Sequence, residues 1–264
     1  KVCLTIDMEE FNDSVIWKDV EKRIDIAEAW KKIKKLLGEF DIPATFFVLG
    51  TFAEKYPQIV ESIRNCGYEV GSHFQSHQNL YLLGDDEVRD GVRMSKKVLG
   101  KVKGFRAPMY SMHKGIAKIL KDENFVYDSS VFPSIFYPHP SIRNVEKKLR
   151  IGSEKIGAPY KIDGLLEIPL TVFPSYIGLP ITGTTIRLYG GLISSLLKFY
   201  RKEVFVVNVH PFEFVGAPHV KGTPWWFSIN SGQPFVDRLR SIIRALKRMD
   251  ANFETMASVA GCGS

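Results

Sequence analysis

The stretch VCLTIDMEE, residues 2–10, reads as a β-strand that runs out into acid side chains. It is nearly continuously apolar up to Asp7, as expected of a strand covered on both faces in a parallel sheet. The same kind of run recurs along the chain as ATFFVLG (44–50), YEVGSH (68–73), GFRAP (104–108), FVYDSS (125–130), LLEIPLTV (165–172), VFVVNVH (204–210) and NFETM (252–256). Amphipathic stretches lie between them, at 26–40, 52–66, 85–100, 113–125, 184–202 and 235–249. Strand–helix alternation of this length predicts an α/β fold, either a (β/α) barrel or an open doubly wound sheet. Residues 131–164 break the rhythm with Pro133, Pro138 and Pro140 and read as a long loop or lid. No linker composition interrupts the 264 residues, so one domain over 1–264 is expected.

Composition narrows the class. Apolar residues at 45% and charged residues at 25% are those of an ordinary globular protein. The net charge of +7 comes partly from clusters such as KKIKK (31–35) and KKVLGKVK (96–103). These read as solvated helix faces, or as a peripheral contact with an anionic or membrane surface. Nucleic acid is not expected as a partner, because no recognition motif accompanies the charge, and oligomeric state is left open. Three cysteines without CxxC spacing indicate neither a disulfide framework nor a structural zinc site. That usage, together with a first segment that reads as a strand rather than a leader, makes the cytoplasm the expected location. The first residue is Lys rather than Met, which is compatible with removal of an upstream segment.

The chemistry-bearing residues gather at the ends of the apolar runs: Asp7, His73, Arg106, Asp128 and His210. In parallel α/β architectures the carboxyl ends of strands meet on one face, where active sites form. Strand alternation puts Asp7 and Glu9 on the same side. Close carboxylates need a cation, a proton or an arginine to offset their repulsion. His73 and His77, four apart in EVGSHFQSHQNL (69–80), read either as metal ligands or as polar surface. Phe74 stands where an HExxH motif has its glutamate, which disfavours a zincin-type protease. Arg106 in GFRAPMY suits a carboxylate held bidentately. Asp128 in YDSS could steer a histidine or cap the next segment. His210 ends the most apolar strand, while His113, His139 and His219 sit in loop or helix-start contexts. Trp17, Tyr110, Tyr137, Trp225 and Trp226 offer aromatic faces for a ligand, and GTPWWFSIN (222–230) reads as a loop beside the site.

The order of TIDMEE, HFQSH, RAPMY, YDSS and VNVH resembles the five motifs of the polysaccharide deacetylases, the NodB-homology group or carbohydrate esterase family four. The resemblance runs over roughly residues 2–256. FVYDSSVFP, LLEIPLT and VNVHPFEF look like the branch found beside exosortase and polysaccharide-export systems. The resemblance implies a distorted (β/α)7-type barrel carrying a divalent metal at its carboxyl face, zinc first, with cobalt, nickel or manganese as alternatives. It implies His73 and His77 as metal ligands, Asp7 as general base and Arg106 as its orienter. It also implies Asp128 as the group that steers His210, and His210 as general acid. The implied reaction is hydrolysis of an N-acetyl group on an amino sugar in a polysaccharide, oligosaccharide or lipid-linked glycan, by attack of water held on the metal. A main-chain N–H near Met109 or Tyr110 is expected to bind the oxyanion.

One position departs from the family pattern. Met8 stands where relatives carry a second, metal-binding aspartate, and a thioether is a poor ligand for such an ion. Glu9 is expected to take over, with Glu10 in reserve. The departure keeps two alternatives open: hydrolysis of a small cyclic or linear amide, and a non-catalytic glycan-binding member.

Overall fold

Helices and strands are placed by the spacing of their apolar residues, and a computed structural model shows the result for residues 1–13, 23–112, 114–133, 158–172, 178–200, 203–218 and 225–262. Its eight strands are β1 (Val2–Met8), β2 (Thr45–Val48), β3 (Glu69–Ser72), β4 (Gly104–Phe105), β5 (Tyr127–Asp128), β6 (Tyr160–Ile162), β7 (Leu165–Glu167) and β8 (Phe205–Val209). They form one sheet in the order β6-β7-β5-β4-β3-β2-β1-β8, parallel except for the β6–β7 pair. β1 has seven buried residues in a row, which is why its sequence does not alternate.

The helices are α1 (Ile26–Phe40), α2 (Gly50–Lys55), α3 (Pro57–Asn65), α4 (Asp85–Leu99), α5 (Lys114–Asp122), α6 (Gly183–Leu196), α7 (Pro211–Val215), α8 (Gln233–Lys247) and α9 (Met256–Val259). In α1, Ile26, Ala29, Trp30, Ile33, Leu36 and Leu37 recur at helical spacing and are all buried. Asp25 starts that helix by accepting the main-chain N–H of Glu28 at 2.9 Å.

The sheet is an α/β half-barrel whose last gap is crossed by single bridges. Thr182 pairs with Asn208 of β8, and Val172 with Pro180. The Ile181 N–H donates to Thr171 and the Asn208 N–H to Ile181, at 2.9 and 3.1 Å. Seven parallel strands with this irregular seam are the distorted (β/α)7-type barrel that the resemblance implied.

Three local expectations are corrected. NFETM (252–256) contributes only a bridge from Phe253 to Val2, and its end opens α9, because Thr255 caps that helix. The helix expected over 52–66 is two, since Pro57 starts α3 and Tyr56 leaves helical geometry (φ −127°, ψ 52°). Within 131–164, Tyr160–Ile162 form β6, which turns into β7 through Asp163 and Gly164 at φ 48° and 86°. An Asp-Gly pair between apolar runs is a hairpin signal that the prolines upstream obscured. The rest of that loop expectation, residues 134–157, lies outside the described residues.

Candidate active site

The carboxyl ends of β1, β3, β4 and β8 bring six of the expected residues, Asp7, Glu9, His73, His77, Arg106 and His210, into one neighbourhood. Asp7 lies in the last turn of side-chain alternation on β1, opposite Phe47 of β2. Its Oδ1 accepts from the Arg106 guanidinium at 2.8 Å and its Oδ2 from the Asn208 amide at 2.9 Å. Arg106 is fully buried. It contacts Asp7 through Nη1 alone, in place of the two-pronged grip expected, because its other donors reach the Ser129 carbonyl and hydroxyl at 3.0 Å each. The same Nη1 meets Thr5 and Asn208, both at 2.8 Å, and the guanidinium lies 4.2 Å from the centre of the Phe47 ring. Burial would raise the Asp7 pKa, but the charges of Arg106, His73 and His210 together outweigh it and hold the carboxyl below its usual range. Asp7 is therefore an ionised base at neutral pH.

Glu9, His73 and His77 form the second cluster. Their ligand atoms all lie within 4.8 Å of one another. Glu9 Oε2 is 3.0 Å from His77 Nε2 and 3.7 Å from His73 Nε2. Phe74 shapes the loop between the histidines: it sits in left-handed backbone (φ 71°) with a buried ring against Gly91 of α4. A Cβ at Gly91 would fall 2.1 Å from that ring, so the close approach needs glycine there.

The donor set fits a divalent cation. His73 Nδ1 is 2.8 Å from the Arg106 carbonyl, so that nitrogen carries the hydrogen and Nε2 offers a lone pair. Glu9 Oε2 is buried with no hydrogen-bond donor beyond the two imidazoles. Three lone-pair atoms facing one another repel unless a cation or proton lies between them. Without a metal the proton takes that place. Burial opposes a charged His77, yet Glu9 raises its pKa, while the imidazoles hold the Glu9 carboxyl well below its usual range against burial. Glu10 is turned away, bonded to Lys55 at 2.5 Å and Tyr56 at 2.9 Å. Met8 is buried in the core.

His210 faces both clusters. Its Nε2 is 3.9 Å from Asp7 Oδ2 and 3.9 Å from Glu9 Oε1. Burial would lower its pKa, but Glu213, Glu9 and Asp7 together push it up to about 9. Asp128, expected to steer this histidine, has other partners. It accepts from the Ser130 hydroxyl at 2.6 Å and main chain at 3.2 Å, and its register neighbour on β7 is Glu167. Burial and the Asp128 charge raise the Glu167 pKa well above its usual value. The group on the Nδ1 side of His210 is instead Glu213, with Oε2 at 3.9 Å.

Asn208 and Glu213 were missed from sequence. Asn208 joins Asp7 to the Tyr110 hydroxyl, which it reaches at 2.6 Å. The available signal was a lone amide inside a fully buried apolar strand, where an unpaired polar group is costly. Met109 and Tyr110 are consecutive non-glycine residues with left-handed backbone, φ 53° and 54°. Such geometry collects at functional sites. The Tyr110 N–H is donated to Ala107 at 3.1 Å, which leaves Met109 as the main-chain donor of the expected pair. Trp225 is 66% exposed, Trp226 is half-buried, and their turn reaches the site through Phe227. Trp17, Tyr137, His113, His139 and His219 lie outside the described residues.

Residues 5–127 match the family profile described as Polysaccharide deacetylase. A peptidoglycan-N-acetylglucosamine deacetylase of Bacillus cereus is 34% identical over 100 residues, which are 36% of this chain and 36% of the relative. The match thus spans little more than a third of that relative. A family 4 carbohydrate esterase from Streptomyces lividans, solved with acetate, shares the fold at TM-score 0.57 and 12% identity, covering 97% of this chain and 92% of its own. A family 4 pseudoenzyme from Bacillus anthracis does so at TM-score 0.59 and 16% identity, covering 98% of this chain and 64% of its own. The profile match covers residues 5–127, short of half of the chain, and the solved structures show a shared fold.

Proposed function

We propose that the protein removes acetyl groups from an N-acetylated amino sugar in a polysaccharide, oligosaccharide or lipid-linked glycan, using one divalent cation held by Glu9, His73 and His77. The observation that carries this reading is the meeting of a lone-pair trio, an ionised buried carboxylate and an imidazole at one end of the sheet. A cation bound there supplies Lewis acidity, which polarises the acyl carbonyl and lowers the pKa of water.

This chain's residues supply the rest. Asp7, kept ionised by Arg106, takes the proton from the attacking water. Asn208 and Arg106 pin its two oxygens, so the base does not rotate away. Met109, bent into left-handed backbone, offers the main-chain donor for the developing oxyanion. His210 passes its Nε2 proton to the amine nitrogen as the C–N bond breaks, since an unprotonated amine is too basic to leave. A complete base, orienter and acid supports catalysis over simple glycan binding.

Zinc is the cation we favour for a site of two imidazoles and one carboxylate. Three free cysteines support a reducing, cytoplasmic location. There a lipid-linked or oligosaccharide precursor of an exported glycan is the expected substrate, in keeping with the export-associated motifs. The test is acetate release from N-acetylglucosamine oligomers and lipid-linked N-acetyl sugars. Release should stop on chelation and return with zinc or cobalt, and turnover indifferent to chelation would overturn the reading.

A further inference from the structure

We infer that Glu213, held in place by Arg187, is the positioning residue of the acid histidine, a role that rests on the deacetylase reading. His210 is the residue from which α7 starts, and its main-chain N–H donates to Glu213 Oε2 at 3.0 Å. The same oxygen lies 3.9 Å from the ring Nδ1. The two ring nitrogens therefore have different neighbours, Glu213 inside the fold and the Asp7–Glu9 cleft outside.

Glu213 is itself fixed. It is fully buried, and its Oε1 accepts from Arg187 Nε at 3.2 Å, with Arg187 equally buried. Arg187 also donates to the carbonyls of Trp226 and Ile229, at 3.1 and 3.3 Å, and to that of Phe227. Its guanidinium lies 6.0 and 5.9 Å from the rings of Phe212 and Phe227. Those rings continue a stack that begins at the histidine: His210 on Phe212 at 5.4 Å and Phe212 on Phe227 at 5.6 Å, both within 20° of parallel. One arginine thus anchors both the carboxylate behind the acid and the turn that carries Trp225 and Trp226. At Gly183 a Cβ would fall 1.6 Å from Glu213 Oε2, so the start of α6 can pass the carboxylate only as glycine.

The chemistry asks for such a partner. A carboxylate at Nδ1 keeps the ring turned so that Nε2 faces the leaving nitrogen, and it stays ionised while the Nε2 proton moves to that nitrogen. Misplacement of a catalytic group by an ångström costs about 10²-fold. The group that the motif order assigned to this task, Asp128, is committed to Ser130 and Glu167.

The test compares the zinc-loaded wild type with Glu213→Gln, Arg187→Met and the double variant Glu213→Leu/Arg187→Met. Rates are measured on an N-acetylglucosamine oligomer and on p-nitrophenyl acetate, whose phenolate leaves without a proton. Glu213→Gln should lower the amide-to-ester rate ratio by about 10²-fold. Either single variant leaves a buried charge unpaired and lowers the melting temperature, while the apolar double variant restores it. A ratio that stays low in the refolded double variant supports positioning. A ratio that recovers along with stability means that Glu213 is only structural, and overturns the proposal. A crystal structure of Glu213→Gln gives a reading independent of turnover: a His210 ring displaced from the Phe212 stack supports the proposal, and an unmoved ring overturns it. If wild type cleaves the ester and not the amide, the deacetylase reading fails, and the crystallographic result still decides the positioning role.

Discussion

At the residue scale, the decisive side chain is Glu9. Its neighbour Glu10 has the same chemistry and follows it directly, yet the chain leaving β1 points Glu9 to the imidazoles and Glu10 to Lys55 and Tyr56. On the proposed reading, removing Glu9 takes away a metal ligand, whereas removing Glu10 takes away a pairing with Lys55 and Tyr56. Glu9→Ala should weaken zinc binding more than about 100-fold, beyond the usual cost of losing an outer partner, while Glu10→Ala retains one zinc per chain. Titration of the metal-free proteins against a competing chelator measures both. Equal losses would place the third ligand elsewhere. That Asp7 and Glu9 share a side could be read from sequence, because period-two alternation is a local rule. The partner of Asp128 could not, because Glu167 lies 39 residues on and meets it only through the β5–β7 register.

At the element scale, that β5–β7 pair makes a pH-dependent contribution to stability. Parallel register puts Asp128 and Glu167 side by side on one face, both fully buried, so the charge of Asp128 disfavours ionisation of Glu167. The folded-state pKa of Glu167 is raised well above 4.5 by burial and then by the Asp128 charge. A carboxyl raised in the folded state stabilises fully below its unfolded pKa, and that stability is lost as pH rises through the folded value. Wild type should therefore lose stability relative to Glu167→Gln as pH climbs above 4.5, since the amide donates to Asp128 at every pH. Urea unfolding midpoints of the two proteins across pH read the difference; parallel profiles would mean that the Glu167 pKa is not raised in the folded protein. The helices were legible from apolar spacing, as in α1. The break at Pro57 and the β6 hairpin needed the stronger local signals, a proline and an Asp-Gly turn, to be weighed above periodicity.

At the scale of the whole molecule, β1 is the strand around which everything is arranged. It lies between β2 and β8 in the sheet and carries Asp7. Cys3 within it is fully buried, and burial pushes its thiol up to about 12, so it reacts only when the barrel opens. Cys66 and Cys262, both half-buried, should be alkylated first in the native protein, and Cys3 only along with global unfolding. Mass spectrometry after a pulse of iodoacetamide across a urea series tests this, and native labelling of Cys3 would show that β1 opens locally. Taken by itself, the sequence determined the α/β class, the strand ends that carry chemistry, and the pairing of Asp7 with Glu9 on one face. Those follow from side-chain periods of two and 3.6, which act over a few residues. Tertiary structure alone decided that Asn208 braces Asp7, that Asp128 faces Glu167 in the β5–β7 register, and that Glu213 stands behind His210 with Arg187 behind it. Each of these depends on which strands and helices become neighbours, and that is set by burial of the whole core rather than by any local pattern.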